Sequence, residues 1–510
     1  MSKGRLYTYK KIFLGALVVL IGLLVLFWVI TAILERNLNQ FIDKIDGYEI
    51  TVTDLQIRPL TRAIYFKGVE VERSDAQTFH LYIDEIDIVH FSLFELCFSN
   101  TIEMEKLLVR GPVLKGLPNH SGTIAKNANK NQRLIIHELD IGNGSCSFQS
   151  KIEKDSLRFE LKRTVITDIT WSPTEKLDWS KWNLKQLDVE QLYIPLNDFE
   201  QLYTERIWLD ENVLSGEKLK IKTKFDKNQL SRLITVERDH IDFVVHRFKL
   251  NNLALERTAE KYEVRVGHGV FEDFDLHVYR DKTVADDLRR KPFYGEMLRN
   301  LPFDFNIQEL AMDNGSVSYT EKVDEEIRSE DIIFNELNLN ILNLNNGNNG
   351  EIRTQVRSNI MDEGALEFSY TFNPSDLHEA FLLKGSIVNF DASAVNPFLR
   401  TSLQSKTKGQ IEQMYFTIDG HQNKASTELK VAYEDFEFTV LKKDLLRINK
   451  VLTFLGNLVV NDGSNSDADG YRYGYAQTEP ESSKSFLNYL WSCLKEGILD
   501  AITGSGKKKT

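Results

Sequence analysis

Residues 63–73 read AIYFKGVEVER and residues 80–91 read HLYIDEIDIVHF, and these two runs decide the fold class. In the first, Ile64, Phe66, Val69 and Val71 stand among polar neighbours at the spacing of a half-buried strand. In the second, Leu81 and Ile83 share one parity while Ile86 and Ile88 share the other. That pattern predicts a face change or bulge near Glu85, because a slip of one residue turns a strand's apolar set to the other side. Upstream, Ile50 and Val52 in EITVTDLQIRP carry the same alternation.

Working outward, similar runs recur in EKLLVRGPVLKG, RLIIHELDIGNGSCSFQS, EKLKIKTKF, HIDFVVHRFKLNNLALER, KYEVRVGHGVFEDFDLHVYRD, FDFNIQELAMDNGSVSYTEK, FNELNLNILNL and GALEFSYTFN. Gly, Asn and Asp separate them, and ten prolines in 510 residues interrupt few. Strands that follow one another this closely, without long helices between, predict a mostly β body built from antiparallel meanders. The segment His137–Ser145, HELDIGNGS, aligns with Gln308–Ser316, QELAMDNGS, and both copies end in Asn-Gly-Ser. Such an echo fits similar hairpins set side by side. Asn143-Gly144 and Asn314-Gly315 read first as tight-turn signals, ahead of their match to a glycosylation sequon.

The ends of the chain read differently. From Ile12 to Leu34, through Leu14, Val18, Leu23 and Trp28, there is no charged residue. At about 1.5 Å per residue this run is long enough for a membrane-spanning helix, and it is longer than the apolar part of a cleaved secretory signal. Lys3, Arg5, Lys10 and Lys11 precede it, which keeps the N-terminus cytoplasmic and places the body outside. The expected organisation is therefore a basic segment at 1–11, a transmembrane helix at 12–34 and an N-terminal β unit at 35–116. A linker or surface loop at 117–132 and a main β body at 133–443 follow.

Beyond the body, Leu445, Ile448, Leu452, Leu455 and Val459 mark an amphipathic helix at 444–460. Residues 461–485 are rich in Gly, Ser, Asp and Asn and read as a flexible linker. An amphipathic helix at 486–503 has its apolar face assigned to Leu487, Leu490, Trp491, Leu494, Ile498 and Ala501, and a basic tail closes the chain at 504–510. That helix either covers the sheet's edge or lies on a membrane surface with Lys507, Lys508 and Lys509 near anionic headgroups.

Chemistry is sparse. The net charge of −12 is spread along the body and leaves no basic footprint for nucleic acid. Ten histidines form no HExxH or HxH pair, and His240, His246 and His268 read as surface or structural groups. No Walker loop or nucleophile elbow occurs. The acidic runs at Asp286-Asp287 and Asp324-Glu325-Glu326 read as solvated charge. Cys97, Cys146 and Cys493 match no metal or disulfide framework, and Cys97 and Cys493, set in apolar patterns, read as small buried hydrophobes. These readings predict a protein that is not an enzyme and needs no cofactor or metal.

Several segments resemble the AsmA-like family of envelope proteins, in particular a short branch with one anchor and a β-rich periplasmic body. The likeness lies in GVEVERSDAQTFHLYIDEIDIVHFSLFEL through LLVRGPVLK, in LPFDFNIQELAMDNGSVSYTEK, and in the stretch from LLKGSIVNF to VLKKD. The last has the order Asn396-Pro397-Phe398-Leu399, Gly409-Gln410-Ile411, Ile418-Asp419-Gly420, and FLNYLWSCLKEGILDAI is similar to the branch's closing helix.

The resemblance implies an elongated, curved antiparallel sheet, a trough or β-groove, with few helices after one transmembrane helix. It implies an inner-membrane location, single-pass, with the body in the periplasm. It further implies lipid transport or outer-membrane biogenesis and maintenance, with phospholipid acyl chains and envelope proteins as partners and no nucleic acid. Ile64, Phe66, Leu81, Ile83, Phe305, Ile307, Phe416 and Ile418 are the residues expected to face that groove. Without a groove, the same apolar parity would close into a dry sandwich core. The alternative function is a scaffold that recruits envelope partners through sheet edges and the C-terminal helix.

Overall fold

The computed structural model describes residues 48–73, 79–92, 101–116, 133–149, 156–172, 182–257, 261–347, 350–402, 405–440 and 466–508. Among these residues strand accounts for 65% and helix for 11%, with 21 strands in mixed β-sheet. No helix among the described residues is long and apolar enough to cross a membrane. The expected spanning segment, with Ile12, Leu14, Val18, Leu23, Trp28 and Leu34, lies outside the described residues, as do the expected 117–132 connection and the 444–460 helix.

Two compact units divide the chain: Met1–Pro195 with Arg206–Glu211, and Leu196–Glu205 with Asn212–Thr510. The first holds β1 (Tyr48–Arg58), β2 (Ala63–Arg73), β3 (His80–Phe91), β4 (Thr101–Arg110), β5 (Val113–Lys115), β6 (Arg133–Gln149), β7 (Ser156–Trp171) and β8 (Asn183–Pro195). β9 (Glu200–Asp210) lies at the division. The second unit continues with β10 (Val213–Thr223), α1 (Lys227–Leu233), β11 (Asp239–Asn251), β12 (Ala254–Arg257), β13 (Tyr262–Asp281), α2 (Tyr294–Arg299), β14 (Asp304–Lys322) and β15 (Asp331–Asn345). Then come β16 (Ile352–Ile360), β17 (Gly364–Phe372), β18 (Phe381–Asp391), α3 (Asn396–Ser402), β19 (Ser405–Gly420), β20 (Ala425–Val440), β21 (Arg472–Thr478) and α4 (Phe486–Thr503).

The expectation of a purely antiparallel sheet is corrected. β4 and β5 run parallel to β6, and β13 runs parallel to β14. A parallel join needs a connection long enough to return the chain to its starting end, and these are the places where the sequence supplies one. Residues 282–303, which include α2, carry the chain from β13 to β14. Most of the connection from β5 to β6 falls on residues 117–132, so strands on either side of that segment pair directly within one unit.

The face change expected near Glu85 belongs to a longer feature. Flanking register pairs set Thr53, Gly68, Asp84, Gly111, Asn143 and Lys162 side by side across the first unit. Three members have left-handed backbone: φ is +55° at Gly68, +62° at Gly111 and +56° at Asn143. A second row places His90, Glu105, His137 and Asp168 together, with φ of +55° at His90 and +61° at Asp168. At each row the step between inward apolar residues widens from two to three: Val52 to Leu55, Phe66 to Val69, Ile83 to Ile86, Ile136 to Leu139, Ile166 to Ile169. Because neighbouring strands break at the same level, the pairing survives and the apolar side chains stay on one face.

The Asn-Gly pairs of the internal echo are therefore not turns. Asn143 lies inside β6 and Asn314 inside β14, both with φ of +56°. Asn tolerates the left-handed region better than most residues, and in these positions it breaks a long strand without ending it. In the second unit Lys218, His246, Asp273 and Asn314 form the matching row, and Asn252, Gly267, Gln308 and Asn343 another. His137 to Asn143 and Gln308 to Asn314 thus mark the same pair of breaks in each unit.

Candidate functional site

The first unit presents a continuous apolar face. Ile64, Phe66, Val69, Ile83, Phe91, Met104, Ile136 and Ile169 are buried in it, and half-buried Ile50, Val52, Leu55, Ile57, Ile86, Ile88, Leu107 and Val109 surround them. Strands alone supply it, apart from Trp182, since no helix occurs among the described residues of this unit. Of the expected groove residues, Ile64, Phe66, Leu81 and Ile83 come together here, with Leu81 half-buried. Phe91, Met104, Ile136 and Ile169 were missed by sequence reasoning; the signal for them is the three-residue step after each break, which strict alternation hides.

Charge occupies the opposite parity. Lys67 pairs with Glu85 at 3.3 Å and Lys106 with Glu138 at 2.5 Å. Asp140 is covered by Arg110 at 3.3 Å and Arg163 at 3.1 Å. Burial by itself would raise the Asp140 carboxyl, but the hydrogen bonds and charges of the two guanidinium groups outweigh it and hold the carboxyl below its ordinary range. Such pairing keeps one face wet and ionic while the other stays apolar.

In the second unit the chain covers its own apolar face. Phe381, Leu383, Met414, Phe416, Ile418, Ala425, Leu429 and Val431 pack with Phe486, Tyr489, Cys493 and Ala501 of α4. Phe293, just before α2, lies 4.9 Å from Phe486 between ring centroids and 5.9 Å from Tyr489. Phe416 and Ile418 are 5% and 0% exposed beneath this layer, so they form a dry core and not an open groove. Phe305 and Ile307 stay half-buried on β14.

The face assigned to α4 is also corrected. Its buried residues are Phe486, Tyr489, Cys493, Gly497, Ala501 and Ile502, whereas Leu487 is 64% and Trp491 51% exposed; Leu490, Leu494 and Ile498 are half-buried at the margin. Small residues decide the orientation: a Cβ on Gly474 would overlap the Gly497 carbonyl, so strand and helix meet backbone to backbone. Close approach places Gly497 and Ala501 at the crossing with β21, while Phe486 and Tyr489 pack into the core from the first turn of the helix. Residues 472–478, expected within a flexible linker, are β21, paired antiparallel with β20 and covered by α4. The helix closes β21's outer edge as well, because Tyr475 donates its backbone N–H to Asp500 at 2.8 Å and Tyr473 donates to the Gly506 carbonyl at 3.0 Å.

The group of three possible metal ligands among the described residues is Glu70, Glu72 and His80, which includes none of His240, His246 and His268. His240 contacts the Phe225 carbonyl at 3.0 Å, and burial lowers its pKa. His246 lines a polar depression of about 310 Å³ with Asp273, Asn314 and Glu336. Burial pushes the Cys493 thiol up to about 11 and raises that of Cys146, while Cys97 lies outside the described residues. Asp287 is held at about 2, chiefly by Arg289, and Glu325 pairs with Lys322 at 2.7 Å. No family model matches this chain, and no curated protein matches its sequence.

Proposed function

We propose that this chain is a non-enzymatic, membrane-anchored envelope protein that binds lipid acyl chains along the apolar face of its first unit. In this reading 12–34 is the anchor, the body lies in the periplasm, and bound lipid is moved or held for outer-membrane biogenesis and maintenance. The observation that carries it is the contrast between units: α4 and the 282–303 crossover cover the second apolar face, while the described residues of the first contain no helix to cover Ile86, Ile88, Leu107 and Val109. Each methylene transferred from water to such a surface contributes about 0.8 kcal/mol, so a long acyl chain is a fitting ligand. The resemblance to AsmA-like proteins supports the same reading.

Native mass spectrometry of the full chain, released gently from membranes, tests it. Phospholipid is expected on the wild type and lost from Ile86→Asp or Leu107→Asp, both half-buried positions where a charge blocks an apolar path while circular dichroism remains that of the folded chain. A wild type that is free of lipid in every preparation sinks the proposal.

A further inference from the structure

We propose that two copies of this chain pair antiparallel through β1, with Glu49 of each opposite Arg58 of the other. Among the described residues β1 pairs with β2 alone, so its other edge offers unpaired backbone groups along 11 residues. β21 is different, since Asp500 and the Gly506 carbonyl already accept from two of its outer N–H groups, those of Tyr475 and Tyr473. Exposed edges invite strand addition, and proteins that keep one usually limit what can pair with it.

The sequence of β1 complements itself. Laid antiparallel on a second copy, Glu49 meets Arg58, Ile50 meets Ile57, Thr51 meets Gln56, Val52 meets Leu55, and Thr53 meets Asp54. By symmetry each pair occurs twice. Glu49, Thr51, Gln56 and Arg58 are exposed, whereas Ile50, Val52, Leu55 and Ile57 are half-buried on the apolar face, so every pair joins residues of one face.

This register has a physical requirement that β1 meets. In a strictly alternating strand, pairing residue 53 with residue 54 would set inward side chains against outward ones. Here Thr53 and Asp54 are both exposed, because the row through Gly68 breaks the alternation at the centre of the palindrome. The two-fold axis passes through that break. Both apolar faces then lie on the same side of the joined sheet, and two ion pairs favour this partner over an unrelated strand. An isologous contact uses each β1 edge once, so it closes on itself as a dimer instead of propagating a fibre through β1.

The test uses the full chain in detergent, with protein mass measured by light scattering and sedimentation. The wild type is expected at twice 58.9 kDa. Glu49→Arg and Arg58→Glu each set like charges opposite one another twice and should weaken the dimer on the order of tenfold. The double variant Glu49→Arg/Arg58→Glu restores opposite charges and should restore the dimer. In Thr51→Cys/Gln56→Cys the new thiols lie too far apart on one strand to join within a chain, so diamide should yield a covalent dimer absent from the wild type. A wild type at 58.9 kDa, a dimer indifferent to the charge reversals, or a double variant without rescue overturns the proposal. Lipid content is a separate readout, so the acyl-chain reading stands or falls independently.

Discussion

Gly315 on β14 lies directly beneath the ring of Phe274 on the parallel strand β13, and a Cβ there would overlap the ring. Gly216 under Phe248 and Gly385 under Phe416 repeat the relationship on antiparallel pairs, so in the second unit glycines mark where a phenylalanine crosses from the next strand. Phe274 is 3% exposed and has little room to move. Gly315→Val is expected to destabilise the protein by about 1–3 kcal/mol through overpacking, read as a lower denaturant midpoint at unchanged slope.

The asparagines of the two Asn-Gly pairs predict an unusual tolerance. Asn143→Gly keeps the left-handed backbone and should leave stability within about 0.5 kcal/mol, whereas Asn143→Val forces a β-branched side chain into that region and should cost about 1–2 kcal/mol. Thermal unfolding of the two variants separates a strand break from a turn: only a break inside a paired strand makes the valine variant lose cooperativity along β6 in hydrogen exchange.

Cys493 reports on the seating of α4. It is fully buried, with its thiol pushed up to about 11, so the native chain should resist alkylation near neutral pH. Gly474→Val must lift α4 from β21, and the expected result is rapid labelling of Cys493 by iodoacetamide, located by peptide mass spectrometry. Protection equal to wild type would show that the backbone contact does not hold the helix.

Buried Arg472 donates from Nε to the Ala501 carbonyl at 2.8 Å and from Nη2 to the Gly504 carbonyl at 2.9 Å, satisfying the end of α4. Arg472→Leu removes both charge-assisted bonds and leaves those carbonyls unmet. A loss of about 2–4 kcal/mol is expected, with the last turn of α4 exchanging its amide hydrogens first.

Acid should weaken the first unit at Asp140. Its folded pKa lies below the ordinary 3.8, so its contribution is fully present above that value and disappears as the pH falls through the lower folded pKa. Asp140→Asn is expected to be less stable than wild type at neutral pH and to show a shallower fall in stability below pH 3.8. Equal acid slopes for the two proteins would remove Asp140 from the account.

Particular residues show how far local pattern reaches. The alternation of Ile64, Phe66, Leu81 and Ile83 was legible because a strand's side chains have a fixed period, and the parity change near Glu85 was legible for the same reason. Asn143 and Asn314 misled because a left-handed residue serves a turn and a strand break equally well; only the neighbours at Gly111 and Asp273, set beside them by pairing, select the break. Arg472 to Thr478 looked like linker because Gly474 and its tyrosines carry no apolar stripe, and their strand is held by β20 and α4.

By itself the sequence determined that the body is mostly strand and that a helix occupies 486–503, since both follow from the spacing of neighbours along the chain. Tertiary structure alone decided the parallel joins, the alignment of breaks into rows, which face of α4 is buried, and the difference between a covered apolar face and one made of strands. Those features depend on which distant segments meet, and backbone approach at Gly474 and Gly497 outweighs the greater hydrophobicity of Leu487 and Trp491.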